Sequence, residues 1–370
     1  MVNLARSVPW YLVIPPVTAL VLIGTWHREL GIAALIVVAA ALIAAVLTAV
    51  HHAEIVAHRV GEPFGTLILA VAVTVIEVGL IIMLMTSAGE GPSSLARDTV
   101  FAAIMIVCNG VMGLCLLLGA LRHGEVEFRV EGVTAALATL AAVATLALVL
   151  PFFTTSSPGP TFTGAQLAFD GVASLVLYGS FVFIQTRRHR QYFLPLKTRE
   201  DRTAPLSDDD EEEHGDRPTT RATAISLGLL FLCLVVVVGL AKSAAPAIEH
   251  AVVAAGAPRA VVGVAIALLV LAPETVAAVR AARRNHIQTS FNLALGSALA
   301  SIGLTIPVLA LASIWLKNTL VLGLSPKDMV LLALTITITT LTVAPGRATL
   351  MQGAVHLTLF GVFLFLSLVP

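Results

Sequence analysis

Charge is what this sequence has least of. Lys, Arg, Asp and Glu make up 12% of its 370 residues, where a soluble domain carries about 25%. That scarcity excludes an ordinary soluble fold, whose surface needs ionised groups to face water. Neither sign dominates. The 22 basic residues balance 22 acidic ones, so there is no basic excess with which to hold nucleic acid. Cysteine is scarce as well. Cys108, Cys115 and Cys233 each lie inside an apolar run and read as small packing residues rather than a disulfide set. The sequence has no HExxH metal motif, no GxSxG nucleophile elbow and no Walker lysine loop. An intramembrane enzyme and ATP hydrolysis are therefore not expected. No small-residue cleavage site follows the first apolar run, Trp10 to Trp26, which reads as a retained helix and not as a cleaved signal.

What is present is apolar. Hydrophobic residues make up 58% of the chain, and charge-free runs of about 20 residues, the length of a membrane helix, recur throughout. The expected fold is an all-α polytopic membrane protein with about 11 transmembrane helices, at residues 9–27, 31–58, 64–87, 99–121, 132–151, 165–186, 222–243, 257–282, 288–315, 327–345 and 349–369. Short turns such as "SAGEGPSS" and "TTSSPGPT" separate them. One connection differs. Arg187 to Arg221 is polar, contains "SDDDEEEH" and lacks apolar periodicity, as a flexible loop does. Its six acidic residues, Asp208 to Glu213, either gather cations near the cytoplasmic mouth or form a solvated linker. Lys and Arg set the orientation. With the N-terminus in the cytoplasm, sixteen of them fall inside and six outside. The acidic loop is then cytoplasmic and the C-terminus outside.

Two stretches echo each other. Glu54 is followed by Gly61-x-Pro63, and Glu249 by Gly256-x-Pro258. Each motif leads into a run whose one charged residue is a glutamate: Glu77, 14 residues after Pro63, and Glu274, 16 residues after Pro258. The copies are about 195 residues, or five spans, apart. An odd number of spans inverts the second copy in the membrane, the inverted-repeat plan of secondary transporters with a site near the midplane.

An ionised carboxylate at mid-bilayer costs at least ~2.5–3.5 kcal/mol on an insertion scale. A proton or a cation offsets that cost, and two carboxylates sharing a site make the two compete for the same oxygens. Such competition suits an exchanger. Further oxygens are at hand. Asn109 in "CNGVMG" aligns with Ser297 in "GSALAS", and Gly113 with Ser301. These small residues either let helices pack closely or complete a cation shell. Pro273, inside a helix beside Glu274, is placed to break it and release carbonyls. Glu54 and Glu249, near helix ends, are entrance carboxylates or plain interfacial groups. His51, His52 and His58 relay protons, sense pH or are interfacial. Asp170 begins the sixth span and reads as interfacial rather than as part of the transport site.

These features resemble a known family. "HRVGEPFGTLILAVAVTVIE", "LLVLAPETVAAVRAARRN" and "LGSALASIGLTIP", with the acidic loop between the halves, are similar to cation/proton antiporters of the calcium:cation antiporter superfamily, near the bacterial calcium/proton and sodium/proton exchangers. The resemblance covers residues 31–369. It implies an extra N-terminal transmembrane helix at 1–30, a first five-helix repeat at 31–186, a cytoplasmic acidic loop at 187–221 and a second, inverted repeat at 222–370. It further implies a bacterial inner membrane location and exchange of Ca2+ for protons by alternating access. Glu77 and Glu274 would be the central acidic residues, and Thr74, Asn109, Ser297 and Ser301 supporting ligands. Membrane lipid and the transported ions are then the partners, with no cofactor. Many relatives place Gly-Asn-Ala before each Glu. Here Thr74-Val75-Ile76 and Leu271-Ala272-Pro273 stand there instead, and the missing amide oxygens leave Na+ or K+ open. The alternative is a transporter of another solute class. The compact carboxylate pair and the absence of buried aromatic or basic binding residues weigh against it.

Overall fold

Lipid offers the backbone no hydrogen-bond partner, so each apolar run must close its own N–H and C=O groups as a helix. The computed structural model describes residues 9–26, 28, 30–61, 64–87, 92–194, 218–254, 256, 258, 260–315 and 319–369. Within them all eleven expected spans are helical. They are α1 (Trp10–Thr25), α2 (Ile32–Val60), α3 (Phe64–Ser87), α4 (Leu95–Met105), α5 (Met112–His123), α6 (Val130–Ala144), α7 (Leu150–Phe153), α8 (Gly164–Phe183), α9 (Thr220–Ala254), α10 (Ala260–Val270), α11 (Ala272–Arg283), α12 (Ile287–Ala312), α13 (Pro326–Val343) and α14 (Leu350–Leu368). A π-helical turn at Ile106–Val111 joins α4 to α5, and another at Thr145–Val149 joins α6 to α7. Among the described residues nine helices are long and apolar enough to cross a membrane, and the bent pair α10 and α11 makes a tenth. α1 has 16 residues, short of the ~20 that a span needs. The protein is an all-helical membrane protein.

The helices pack as two units. The first holds α1, α2, α3 and α9. On α2, Ala41, Ala45, Ala49 and Ala53 recur every fourth residue and are buried, so small side chains let neighbouring helices come close. A side chain at Gly79 of α3 would meet Val238 of α9 at 2.8 Å. α1 is tied to α2 through a proline. Pro15 has no N–H to give the Tyr11 carbonyl, and His52 Nε2 of α2 bonds that carbonyl instead, at 3.0 Å.

The second unit holds α4 to α8 and α10 to α14. The continuous α4–α5 rod is its most enclosed span, with 89% of its apolar window buried. Short backbone pairings close both ends of that rod. After α5, β1 (Val126–Glu127) pairs antiparallel with β2 (Arg347–Ala348) from the α13–α14 connection. Before α4, Ser93 bridges Leu320. The polar connection after α8 begins as docked structure. The carbonyls of Phe193 and Leu194 accept from Asn292 at 2.6 Å and Arg129 at 3.0 Å. Its acidic run, Asp208 to Glu213, lies outside the described residues.

Candidate functional site

The first-half glutamate sits in the first unit, on an unbroken helix. α3 runs from Phe64 to Ser87, and Glu77 is 2% exposed. Thr74, one turn earlier on the same face, is buried too. Its hydroxyl donates to the Ala70 carbonyl at 2.8 Å, which leaves the oxygen's lone pairs as acceptors.

The second-half glutamate sits in the second unit, where the chain is broken. α10 ends at Val270 and α11 starts at Ala272, with a bend of 55° between them. Pro273 is the cause. It cannot donate to the Leu269 carbonyl, and its ring crowds it. The new helix starts with Thr275 N–H bonding to the Leu271 carbonyl at 2.9 Å. Glu274 thus occupies a first helical turn, where the positive end of the helix dipole favours a carboxylate. It is half-buried. Ser290 of α12 donates to the Ala278 carbonyl of α11 at 2.7 Å, which fixes the register of this antiparallel hairpin. Counting back along α11 and forward along α12 sets Ser297 level with the break at Leu271 and Ser301 one turn further. Ser297 is half-buried and Ser301 buried.

Asn109 keeps different company. It lies in the π-helical turn Ile106–Val111, a kind of bulge frequent at functional sites. Its amide nitrogen donates to Thr335 Oγ1 of α13 at 2.8 Å. Its amide oxygen accepts from His356 Nδ1 of α14 at 3.2 Å, and His356 Nε2 accepts from Thr342 Oγ1 at 3.0 Å. The Thr335 hydroxyl turns to Met105 Sδ at 3.4 Å. All of these polar groups are buried, and each finds a hydrogen-bond partner within the chain of contacts. Gly113, grouped with Asn109 by the repeat, serves packing. A Cβ there would lie 2.9 Å from His356 Cβ and 3.0 Å from Leu357 N.

The remaining candidates scatter. Glu54 is exposed, 3.9 Å from His51 Nδ1. His51 packs against the rings of Trp10 and Tyr11, His52 is fully buried, and His58 is exposed. The three histidines therefore do not share one face. Glu249 belongs to α9, but its side chain lies outside the described residues. Asp170, expected at the interface, lies in the second turn of α8 and is 3% exposed, packed inside the second unit. Sequence reading missed Thr335, Thr342 and His356. Their signal was present in the threonine run "TITITTLT" of α13 and the lone histidine of α14, but nothing local pointed either of them at Asn109.

The model of the sodium/calcium exchanger protein family matches residues 30–187 and 225–369. The chain belongs to this family. The match leaves out α1 and most of the polar connection. A putative ionic transporter, y4hA of Sinorhizobium fredii, is 48% identical over 346 residues, covering 92% of this chain and 90% of its own. The sodium-potassium/proton antiporter ChaA of Escherichia coli is 33% identical over 353 residues, covering 94% and 93%. Among solved structures, native YfkE superposes with a TM-score of 0.71 at 17% identity, covering 97% of this chain and all of that one. An H+/Ca2+ exchanger, CAX, gives 0.66 at 16%, covering 96% and 87%. At these identities the likeness is one of fold.

Membership of the exchanger family gives the class of activity. The protein is an integral membrane transporter of the calcium:cation antiporter superfamily and not an enzyme. Glu77 and Glu274 can be read within that family as one carboxylate on a continuous helix and one at a helix break, each the single acid of its span.

Proposed function

We propose that this exchanger trades a metal cation for protons by alternating access, with Glu77 and Glu274 as one midplane site that holds either. The observation that carries the reading is Glu274 at the start of α11, the single acid of a bent span whose basic residues, Arg280 and Arg283, come only in the last turn. Helix N–H groups beside it favour the carboxylate, and the Leu269 carbonyl that Pro273 leaves without a donor adds an oxygen for a cation. Its counterpart Glu77, an odd number of spans earlier, supports an inverted repeat whose halves bring the two carboxylates to similar depth. Thr74, Ser297 and Ser301 supply hydroxyl oxygens. Asn109 acts behind the site, its amide already engaged with α13 and α14. Glu54 and Glu249 serve the entrances.

The cation is Ca2+, Na+ or K+, and two features weigh toward the monovalent ions. Ca2+ takes six to eight oxygens, whereas the residues before both glutamates offer no amide. The relative at 33% identity is named for sodium, potassium and protons. With α1 taken as a short eleventh span, the N-terminus and the acidic loop face the cytoplasm and the C-terminus the outside, in a bacterial inner membrane. Proton movement driven by Ca2+, Na+ or K+ in turn across everted vesicles tests the ion. Glu77→Gln and Glu274→Gln test the site. Both proteins are expected to purify as monodisperse species, since a neutral amide is cheaper in lipid than a carboxylate, and to lose exchange in liposomes. Glu→Asp at either position is expected to leave a reduced rate. Exchange at the wild-type rate in both Gln variants would refute the shared site.

A further inference from the structure

Asp170 lies on α8, with both carboxylate oxygens inside the second unit. It is 3% exposed, and among the described residues neither oxygen has a hydrogen-bond partner. Ser174, one turn on and fully buried, has an unpartnered hydroxyl as well. The helix face they share presses on α12. A Cβ at Gly171 would lie 3.2 Å from Pro307 Cα and 3.3 Å from Ala310 Cβ, and one at Gly303 would lie 2.7 Å from Tyr178 Cβ. Pro307 sits inside α12 and has no N–H for the Gly303 carbonyl. A carboxyl group, a hydroxyl and a released carbonyl therefore line one seam.

Beside α8, about one turn before Asp170, there is open space. A cavity of about 210 Å3 is lined by Phe162, Leu167, Ser313, Thr319 and Leu322, among others. Leu167 precedes Asp170 by three residues, and Ser313 follows Ala310 by three. Among the described residues no opposite charge answers the carboxylate. α12 has no titratable residue from Ile287 to Ala312, and the π turn Thr145–Val149 has none. α6 offers Glu131 at its far end, beside the Gly132–Tyr192 contact. α8 itself offers Tyr178 two turns on, and Arg187 and Arg188 follow its last turn. At the cavity end, Arg97 is bound to Asp98 at 2.8 Å and to the Gly323 carbonyl at 3.1 Å, and Lys327 to Asp328 at 3.2 Å.

An ionised carboxylate buried without a partner is strongly unfavourable. A hard metal cation would need several more oxygens than this seam holds, whereas a proton needs one. We propose that Asp170 is a second proton-binding site of this exchanger, loaded from water in the cavity at the start of α8. Because α12 also carries Ser297 and Ser301, protonation at Asp170 acts on the helix behind the proposed cation site. That last link rests on the proposed function; proton binding itself does not.

Infrared difference spectra of the full-length protein in lipid separate the two. In a Glu77→Gln/Glu274→Gln background, a carbonyl stretch of a protonated carboxyl group is expected to grow as pH falls, to vanish in Asp170→Asn and to return, shifted, in Asp170→Glu. Absence of any band that Asp170→Asn removes overturns the proposal. So does loss of that band on adding Na+, K+ or Ca2+ at fixed pH, which would mark a cation site. In liposomes, with Glu77 and Glu274 intact, Asp170→Asn is expected to shift the pH profile of exchange and Asp170→Glu to restore it. A superimposable profile overturns the link to transport while leaving the Glu77 and Glu274 variants to judge the central site.

Discussion

Thr335 shows how much one hydroxyl holds in this core. It accepts the Asn109 amide at 2.8 Å and donates to Met105 Sδ. Thr335→Val keeps the shape and removes both bonds. Asn109 Nδ2 would then have the Met105 sulfur, 3.8 Å away, as its remaining acceptor. Leaving a buried donor poorly met costs about 1–3 kcal/mol, so the purified variant is expected to unfold at a lower temperature while still exchanging cations below that point. An unchanged thermal midpoint would mean that the bond carries no weight. Asn109, Ser297 and Ser301 were legible as small polar residues in apolar helices, but their environments were not. Asn109 has its amide engaged by residues 226 and 247 positions away, whereas the two serines ride a helix alongside α11.

The two repeat elements differ where sequence said they would. α3 carries Glu77 through an unbroken helix, while Pro273 splits the second copy into α10 and α11 with a 55° bend. Pro273→Ala restores an N–H for the Leu269 carbonyl. Proline inside a helix is about 3 kcal/mol worse than alanine, so the variant is expected to be at least as heat-stable as the wild type. It also removes the helix start beside Glu274, a dipole contribution of up to ~2 kcal/mol, or roughly thirtyfold in binding. The expected result is a weaker apparent cation affinity, by up to that factor, in a well-folded protein. Equal affinity in liposome exchange would show that the break does not serve the site.

At the scale of the molecule, the proposed topology has the spans alternate in direction across the membrane. In that topology, helix count sets the start of α4 on the same side as the end of α12, and the β1 connection on the same side as the β2 connection. The second unit agrees, since Ser93 bridges Leu320 and Val126 pairs with Ala348. Which side is the cytoplasm rests on Lys and Arg. Single cysteines placed between residues 195 and 217, on a background lacking the buried Cys108, Cys115 and Cys233, are expected to resist membrane-impermeant thiol reagents in intact cells and to react once the membrane is opened. Ready labelling of intact cells would reverse the orientation.

The sequence by itself determined the helical membrane architecture, the eleven apolar segments, the two solitary glutamates and the proline break. Each follows from interactions a few residues long: apolar runs that must satisfy their own backbone in lipid, and a proline that cannot donate. Gly61 and Gly256, matched in the two repeat copies, likewise share a positive φ, 76° and 61°, a conformation that glycine adopts freely. Tertiary structure alone decided which faces meet. It turned Asp170 inward against α12, gave the Asn109 amide to Thr335 and His356, and aimed His52 at a carbonyl freed by Pro15. In an apolar helix every face is hydrophobic enough to be buried, so composition cannot tell the face that packs from the face that meets lipid. Close packing between helices distant in sequence makes that choice, and with it the partner of each polar side chain.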